Sequence, residues 1–205
     1  MPLFNTYIGS CWGALVGVFG ALGDWETLAI ALVGAKRSTL NLLLLKQKFE
    51  VADYYSYSQH ERLVDSDIEV RVPLLNLHSK QLVYFVLNKL SYQSALDVLQ
   101  TSVQTIWDKP IIIRNNIYVE PSIFDSNCFY HILAYDKDDL PAQVNVLFPN
   151  TKQGNVDKPW VYFDTKSLIY RIIDVVRGRN MHRCTFEIRT LAEANSIKIY
   201  YHYLD

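Results

Sequence analysis

"YIGSCWGALVGVFGALG", residues 7–23, is the stretch on which the reading of this chain turns. It carries no charge, and Gly9, Gly13 and Gly17 recur at every fourth position, with Ala21 completing the series. Small residues at that spacing share one face of a helix and let another backbone approach closely, as in paired membrane helices. Glycine inside a water-exposed helix costs about 1 kcal/mol relative to alanine, so a helix built this way needs a compensating contact. A bilayer span takes about 17–25 apolar residues, and this run sits at the lower end. Extending it toward Ala35 brings in Asp24 and Glu26, each costing about 3 kcal/mol near mid-membrane. A single full span is disfavoured. The first expectation is a glycine-rich helix buried in a protein core. The alternatives are shallow membrane association, with Lys36 and Arg37 at the headgroups, and close helix contact between copies through Gly9, Gly13, Gly17 and Ala21.

The rest of the chain supplies the material for a core. It has 205 residues, half of them hydrophobic, which is ample for one domain without disulfide or metal staples. The expected organisation is a single domain of two lobes, 1–109 helical and 110–205 β-rich. Basic and acidic side chains nearly cancel, 20 against 21, so no overall field steers the chain to nucleic acid. Three well-separated cysteines (Cys11, Cys128 and Cys184) suit a reducing, cytoplasmic setting better than a disulfide framework. No Lys or Arg precedes the apolar run, which argues against a secretory signal, and Pro2 excludes myristoylation.

After the opening run, Asp24 stands as an N-cap for a helix whose stripe is Leu28, Leu32, Leu40, Leu43 and Leu44. Ile68, Val70 and Val72 alternate with charged residues as a strand that Pro73 should stop. Ser79 and Ser94 are read as caps of two helices, the first carrying Leu82, Val83, Val86 and Leu90. Asn115 and Asn116 mark a tight hairpin turn. Strands are expected at 129–135, 143–148 and 160–163 and in two runs at the end, with one amphipathic helix at 167–177. The fold class that follows is α+β: a mostly helical N-terminal half packed on a mainly antiparallel C-terminal sheet.

Three constellations could carry chemistry. In "WVYFDTKSLIYRII" a strand ends on Asp164 and Lys166, two residues apart on one strand face. This resembles the D/E-x-K half of the PD-(D/E)xK nucleases. The resemblance implies Mg²⁺ on Asp164 and an attacking water steadied by Lys166, with Asp138 and Asp139 the nearest counterparts of the family's upstream acid. Cys128, His131, His182 and Cys184 have the residue types of a structural zinc site at unusual spacing. Five of nine arginines fall within 171–189, and Arg177, Arg179 and Arg183 offer a basic patch to an anionic partner such as RNA, a lipid headgroup or an acidic protein segment.

Common nucleotide, zinc-protease and serine-hydrolase signatures are missing, and no cofactor is implied. The expectation is a non-enzymatic assembly protein of viral matrix or accessory character, cytoplasmic and peripheral to a membrane. It self-associates or binds a protein partner through the Gly-rich segment and meets an anionic partner through the arginines. The alternatives are a Mg²⁺-dependent nuclease and a zinc module.

Overall fold

A computed structural model of the chain describes residues 5–41, 49–104, 110–113, 115–121, 143–149 and 197–204, together with Thr190 and residues 193–194, with backbone alone at 35–41, 143–149 and 201–204. The fold is α+β, and the chain divides into two units, Met1–Ser122 and Ile123–Asp205.

In the first unit a short strand, β1 (Thr6–Ile8), turns directly into α1 (Trp12–Leu22). The glycine-rich run is therefore a core helix of this unit. Ala14, Leu15, Val18 and Phe19 are fully buried and pack with Val70, Val72 and Leu74 of the central strand β2 (Glu69–Asn76). A side chain at Gly17 would put Cβ 3.2 Å from Tyr7 Cδ1 and 3.4 Å from Val70 Cγ1, so glycine sets how closely α1 lies on the sheet. The helix stops where Gly23 adopts φ 66°. There the N–H of Gly23 donates to Gly20 O (3.2 Å) and that of Asp24 to Phe19 O (2.8 Å), which is a Schellman ending.

Asp24 then caps α2 (Trp25–Asn41), as its sequence position suggests, by accepting from the Thr27 N–H at 3.2 Å. The helix buries Leu28 and Ala31, while Trp25, Ile30, Leu32 and Val33 are exposed. The leucine stripe expected on this helix thus meets the core at Leu28 but not at Leu32. Next comes α3 (Tyr57–Val64), opened by a capping box between Ser56 and Gln59. It holds the α1–α2 corner: Gln59 Nε2 donates to Asp24 Oδ2 (2.8 Å) and Arg62 Nη2 to Leu22 O (2.9 Å).

The segment after Ser79 is a strand, β3 (Gln81–Val86), not the helix its spacing suggests. The reason is local. Asn76 Oδ1 accepts the N–H groups of His78 (2.9 Å) and Ser79 (3.2 Å), Lys80 takes φ 59°, and the chain reverses into an antiparallel hairpin with β2. Asn88 ties together the opposite end of the hairpin, where α3 leads into β2. Its Oδ1 accepts from Val70 N (2.9 Å) and its Nδ2 donates to Leu63 O (2.7 Å) and Ile68 O (3.0 Å). Then α4 (Tyr92–Val103) is capped by Ser91, three residues before the expected Ser94, and buries Ala95, Val98 and Leu99. β4 (Ile111–Ile113) and β5 (Asn116–Val119) form the expected hairpin, with Asn115 at φ 63°.

Pro73 does not stop β2, and the sheet shows why. β3 covers Arg71–Asn76 along one edge of β2. The other edge is shared: β1 runs parallel along Glu69–Arg71, and β5 runs antiparallel along Leu75–Asn76. Hydrogen bonds from Gly9 N to Arg71 O and from Leu77 N to Ile117 O put the odd-numbered residues' polar groups on that shared edge. Pro73 lies between the two partners, where its missing N–H breaks no ladder bond.

In the second unit the described strands β6 (Gln143–Pro149) and β7 (Lys198–Leu204) agree with the expected strand positions. They pair in parallel, from Gln143↔Lys198 to Pro149↔Leu204. The expected strands at 129–135 and 160–163, the helix at 167–177 and the strand at 186–188 lie outside the described residues.

Candidate active site

The turn between β1 and α1 is built from Gly9, Ser10, Cys11, Trp12 and Gly13. Cys11 is the N-cap of α1 and has φ 54° and ψ −132°. A residue with a Cβ pays about 1–3 kcal/mol for such backbone, and strain of this kind collects at functional sites. The turn is sharp enough that the strand and the first helical turn touch. A Cβ on Gly9 would sit 2.4 Å from Gly13 O and 2.5 Å from Gly13 C. Gly9-x-Cys11-x-Gly13 between a strand and a helix, with the central residue strained, has the form of a nucleophile elbow. In that device the reactive side chain is thrust out above the helix N-terminus, and flanking glycines allow the close passage.

Cys11 carries a thiol rather than a disulfide and is half-buried. The positive end of α1 favours negative charge beside it. Within the first turn, Gly13 N donates to Ser10 O (2.9 Å) and Ala14 N to Cys11 O (3.1 Å). The Trp12 N–H has no backbone partner among the described residues. An aromatic wall flanks the turn: Trp12 meets Phe49 edge-on at 4.8 Å, and Phe49 stacks on Tyr54 at 5.1 Å.

The sheet register brings the end of β5 toward the end of β1. β1 and β5 approach each other head to head along the shared edge of β2, both with their C-terminal ends inward. Extending their registers by one residue sets Gly9 level with Val72 and Glu120 level with Leu74, which leaves about 7 Å of strand between them. Ser10 and Cys11 follow β1 at this gap, and Glu120 follows β5 at its other side in the sequence. Glu120 is only 5% exposed, an unusual burial for a glutamate. Ser102, fully buried near the end of α4, reaches in from the helical layer with its hydroxyl 3.5 Å from Cys11 O.

Other buried polar groups are structural. His60 is held between Tyr55 OH on Nδ1 (2.9 Å) and Leu90 O on Nε2 (3.0 Å). A carbonyl can only accept, so Nε2 carries the proton and the Tyr55 hydroxyl donates to Nδ1. Burial, and then the neighbouring Tyr92, push the Tyr55 hydroxyl far above the usual tyrosine range.

Of the residues singled out from sequence, Gly9 underlies the elbow, Gly13 opens onto space, Gly17 is buried, and Ala21 packs partly buried against the core. Lys36 and Arg37 lie on α2 where backbone alone is described. Asp164 and Lys166, the arginines Arg177, Arg179 and Arg183, and the set Cys128, His131, His182 and Cys184 lie outside the described residues. Among the described residues no cluster of potential ligands could hold a metal ion. No described helix is long and apolar enough to cross a membrane.

Cys11 and Glu120 are absent from the sequence-derived site candidates. The signal for Cys11 was present in "GSCWG", a G-x-Cys-x-G in place of the serine form. Glu120 has no local signal, because only strand register brings it to the gap. No protein-family model and no curated protein matches the chain.

Proposed function

We propose that the first unit is a cysteine-dependent acyl hydrolase or acyltransferase with Cys11 as nucleophile and Glu120 as its general base. The observation that carries this reading is the strained Cys11 backbone at a glycine-flanked strand-to-helix turn. In the proposed cycle the Cys11 sulfur attacks an acyl carbonyl carbon while Glu120 takes the thiol proton. Negative charge gathers on the carbonyl oxygen beside the Trp12 N–H and the positive end of α1. The intermediate collapses, the carbon–oxygen bond of the ester breaks, and the leaving alcohol receives the proton from Glu120. A thioester remains on Cys11. Water, or an acceptor hydroxyl, attacks it; Glu120 takes that proton and returns it to the departing sulfur, releasing acid or the new ester.

The test is hydrolysis of p-nitrophenyl acetate, butyrate and octanoate by wild type, Cys11→Ala and Glu120→Gln. The reading predicts turnover by wild type, none above background for Cys11→Ala, and a loss of about 10²–10⁴-fold for Glu120→Gln, the range for a general base. Equal rates in all three proteins would defeat it.

A second reading, assembly on an apolar partner or membrane surface, is favoured by one observation on α2. Trp25, Ile30, Leu32 and Val33 are 58%, 56%, 40% and 53% exposed. Isolated exposed apolar residues are ordinary, but four within nine positions of one helix form a patch. Positions 36 and 37, both basic, continue the helix one turn further. Ile30→Glu with Val33→Glu should abolish co-sedimentation with anionic vesicles or reduce the oligomer size. If neither property exists in wild type, the assembly reading ends. The residues of the nuclease and zinc alternatives lie outside the described residues.

A further inference from the structure

We infer that Ser102 is a positioning residue for the reaction, one that orients the peptide whose N–H faces the developing oxyanion. The inference rests on the elbow reading of Cys11. Ser102 is 0% exposed, so its hydroxyl proton needs a partner inside the protein. Among the described residues the hydroxyl's one hydrogen-bonding contact is with the carbonyl oxygen of Cys11, at 3.5 Å, longer than the roughly 2.5–3.0 Å of an ordinary O–H···O bond. The same oxygen accepts the Ala14 N–H at 3.1 Å.

The consequence follows from peptide geometry. No peptide bond among the described residues is cis, so the Cys11 carbonyl and the Trp12 N–H point in opposite directions within one rigid plane. Whatever holds the carbonyl aims the N–H. The Ala14 bond comes from within α1 and turns with the helix. The Ser102 bond comes from a different helix, α4, and references the plane to the rest of the unit. The Trp12 N–H is the group that an elbow offers to the oxyanion. Ser102 therefore acts on acyl transfer without touching substrate, through the tilt of a single peptide.

Two reactions of the same thiol separate this role from a general loosening of the fold. Acylation by p-nitrophenyl butyrate passes through an oxyanion, whereas alkylation by iodoacetamide is a displacement at carbon and forms none. Both are followed at the Cys11 peptide by mass spectrometry in wild type, Ser102→Ala and Ser102→Thr. Losing an oxyanion-hole donor outright costs about 10²–10³-fold. A mis-aimed donor is expected to slow acylation by about 10–100-fold, with kcat falling and KM unchanged. Alkylation should stay within about twofold of wild type, since it draws nothing from the oxyanion site. Ser102→Thr, which keeps the hydroxyl, should recover most of the acylation rate.

Acylation of Ser102→Ala at the wild-type rate would overturn the inference, as would equal losses in acylation and alkylation. Wild type that is alkylated but never acylated would instead overturn the elbow reading, and this inference with it.

Discussion

Replacing Gly9 with alanine is the sharpest structural test of the elbow. The added Cβ would lie 2.4 Å from Gly13 O, 2.5 Å from Gly13 C and 3.0 Å from Ala14 N. All three are backbone atoms, so no side chain can rotate away, and either β1 or the first turn of α1 must shift. Overpacking in a dense core costs about 1–3 kcal/mol, and backbone-on-backbone contact belongs at the upper end, about 3 kcal/mol. At about 1.4 kcal/mol per decade that lowers the folded-to-unfolded ratio by roughly 100-fold. A domain with the usual 5–15 kcal/mol survives such a loss and can be measured.

The matched control is Gly13→Ala. A Cβ there meets nothing within 4 Å, and helix propensity gains up to about 1 kcal/mol. The two substitutions should thus shift stability in opposite directions although both come from the same glycine repeat. Urea unfolding monitored by tryptophan fluorescence, with the slope held against wild type, reads both. If Gly9→Ala unfolds at the wild-type urea concentration, or if Gly13→Ala loses as much as Gly9→Ala, the turn is not shaped as described. A helix using its glycine face against lipid or another copy would penalise both changes alike.

Further outcomes follow from the same geometry. Cys11→Gly relieves the φ 54° strain and should raise stability by about 1 kcal/mol while removing the nucleophile; a urea midpoint at or below wild type would contradict the strain argument. Asn88→Ala leaves Val70 N, Leu63 O and Ile68 O without their partner and should cost about 2–3 kcal/mol, seen as a lowered thermal midpoint. The Asp24 carboxyl is held below the usual range by hydrogen bonds from Gln59 and then Thr27. At Glu69, burial pushes upward but Arg71 and Lys89 outweigh it, so that group is lowered as well. Carboxyls depressed in the folded state stabilise it above their unfolded pKa, about 4, and that contribution disappears as pH falls through the lower folded values. Asp24→Asn should therefore flatten the stability profile between pH 5 and pH 2, roughly the window of such losses, and an unchanged acid slope would refute the assignment.

Much of the first unit was legible in the chain. The buried opening helix, the Asp24 cap and the Asn115 turn follow from apolar runs, cap chemistry and the tolerance of asparagine for positive φ. The failures have physical causes. Leu82, Val83, Val86 and Leu90 satisfy a helical spacing, yet the decision lies upstream, in the Asn76 side chain and a left-handed Lys80 that propensity would not assign. Pro73 reads as a strand stop, but on an edge split between two partners its missing N–H is harmless. The site was harder still. The G-x-Cys-x-G spacing is the one local trace of the Cys11 turn and does not by itself assign a positive φ, and Glu120 acquires its place only from the Leu75↔Val119 register.

The central claim is that Cys11 becomes covalently acylated. Wild type and Cys11→Ala are mixed with p-nitrophenyl butyrate, quenched in acid within the first turnovers, and measured by intact and peptide mass. The account predicts one butyryl group on the Cys11 peptide of wild type, released by hydroxylamine as a thioester should be, and none there in Cys11→Ala. Unmodified Cys11 throughout, or ester turnover that persists in Cys11→Ala, would contradict it.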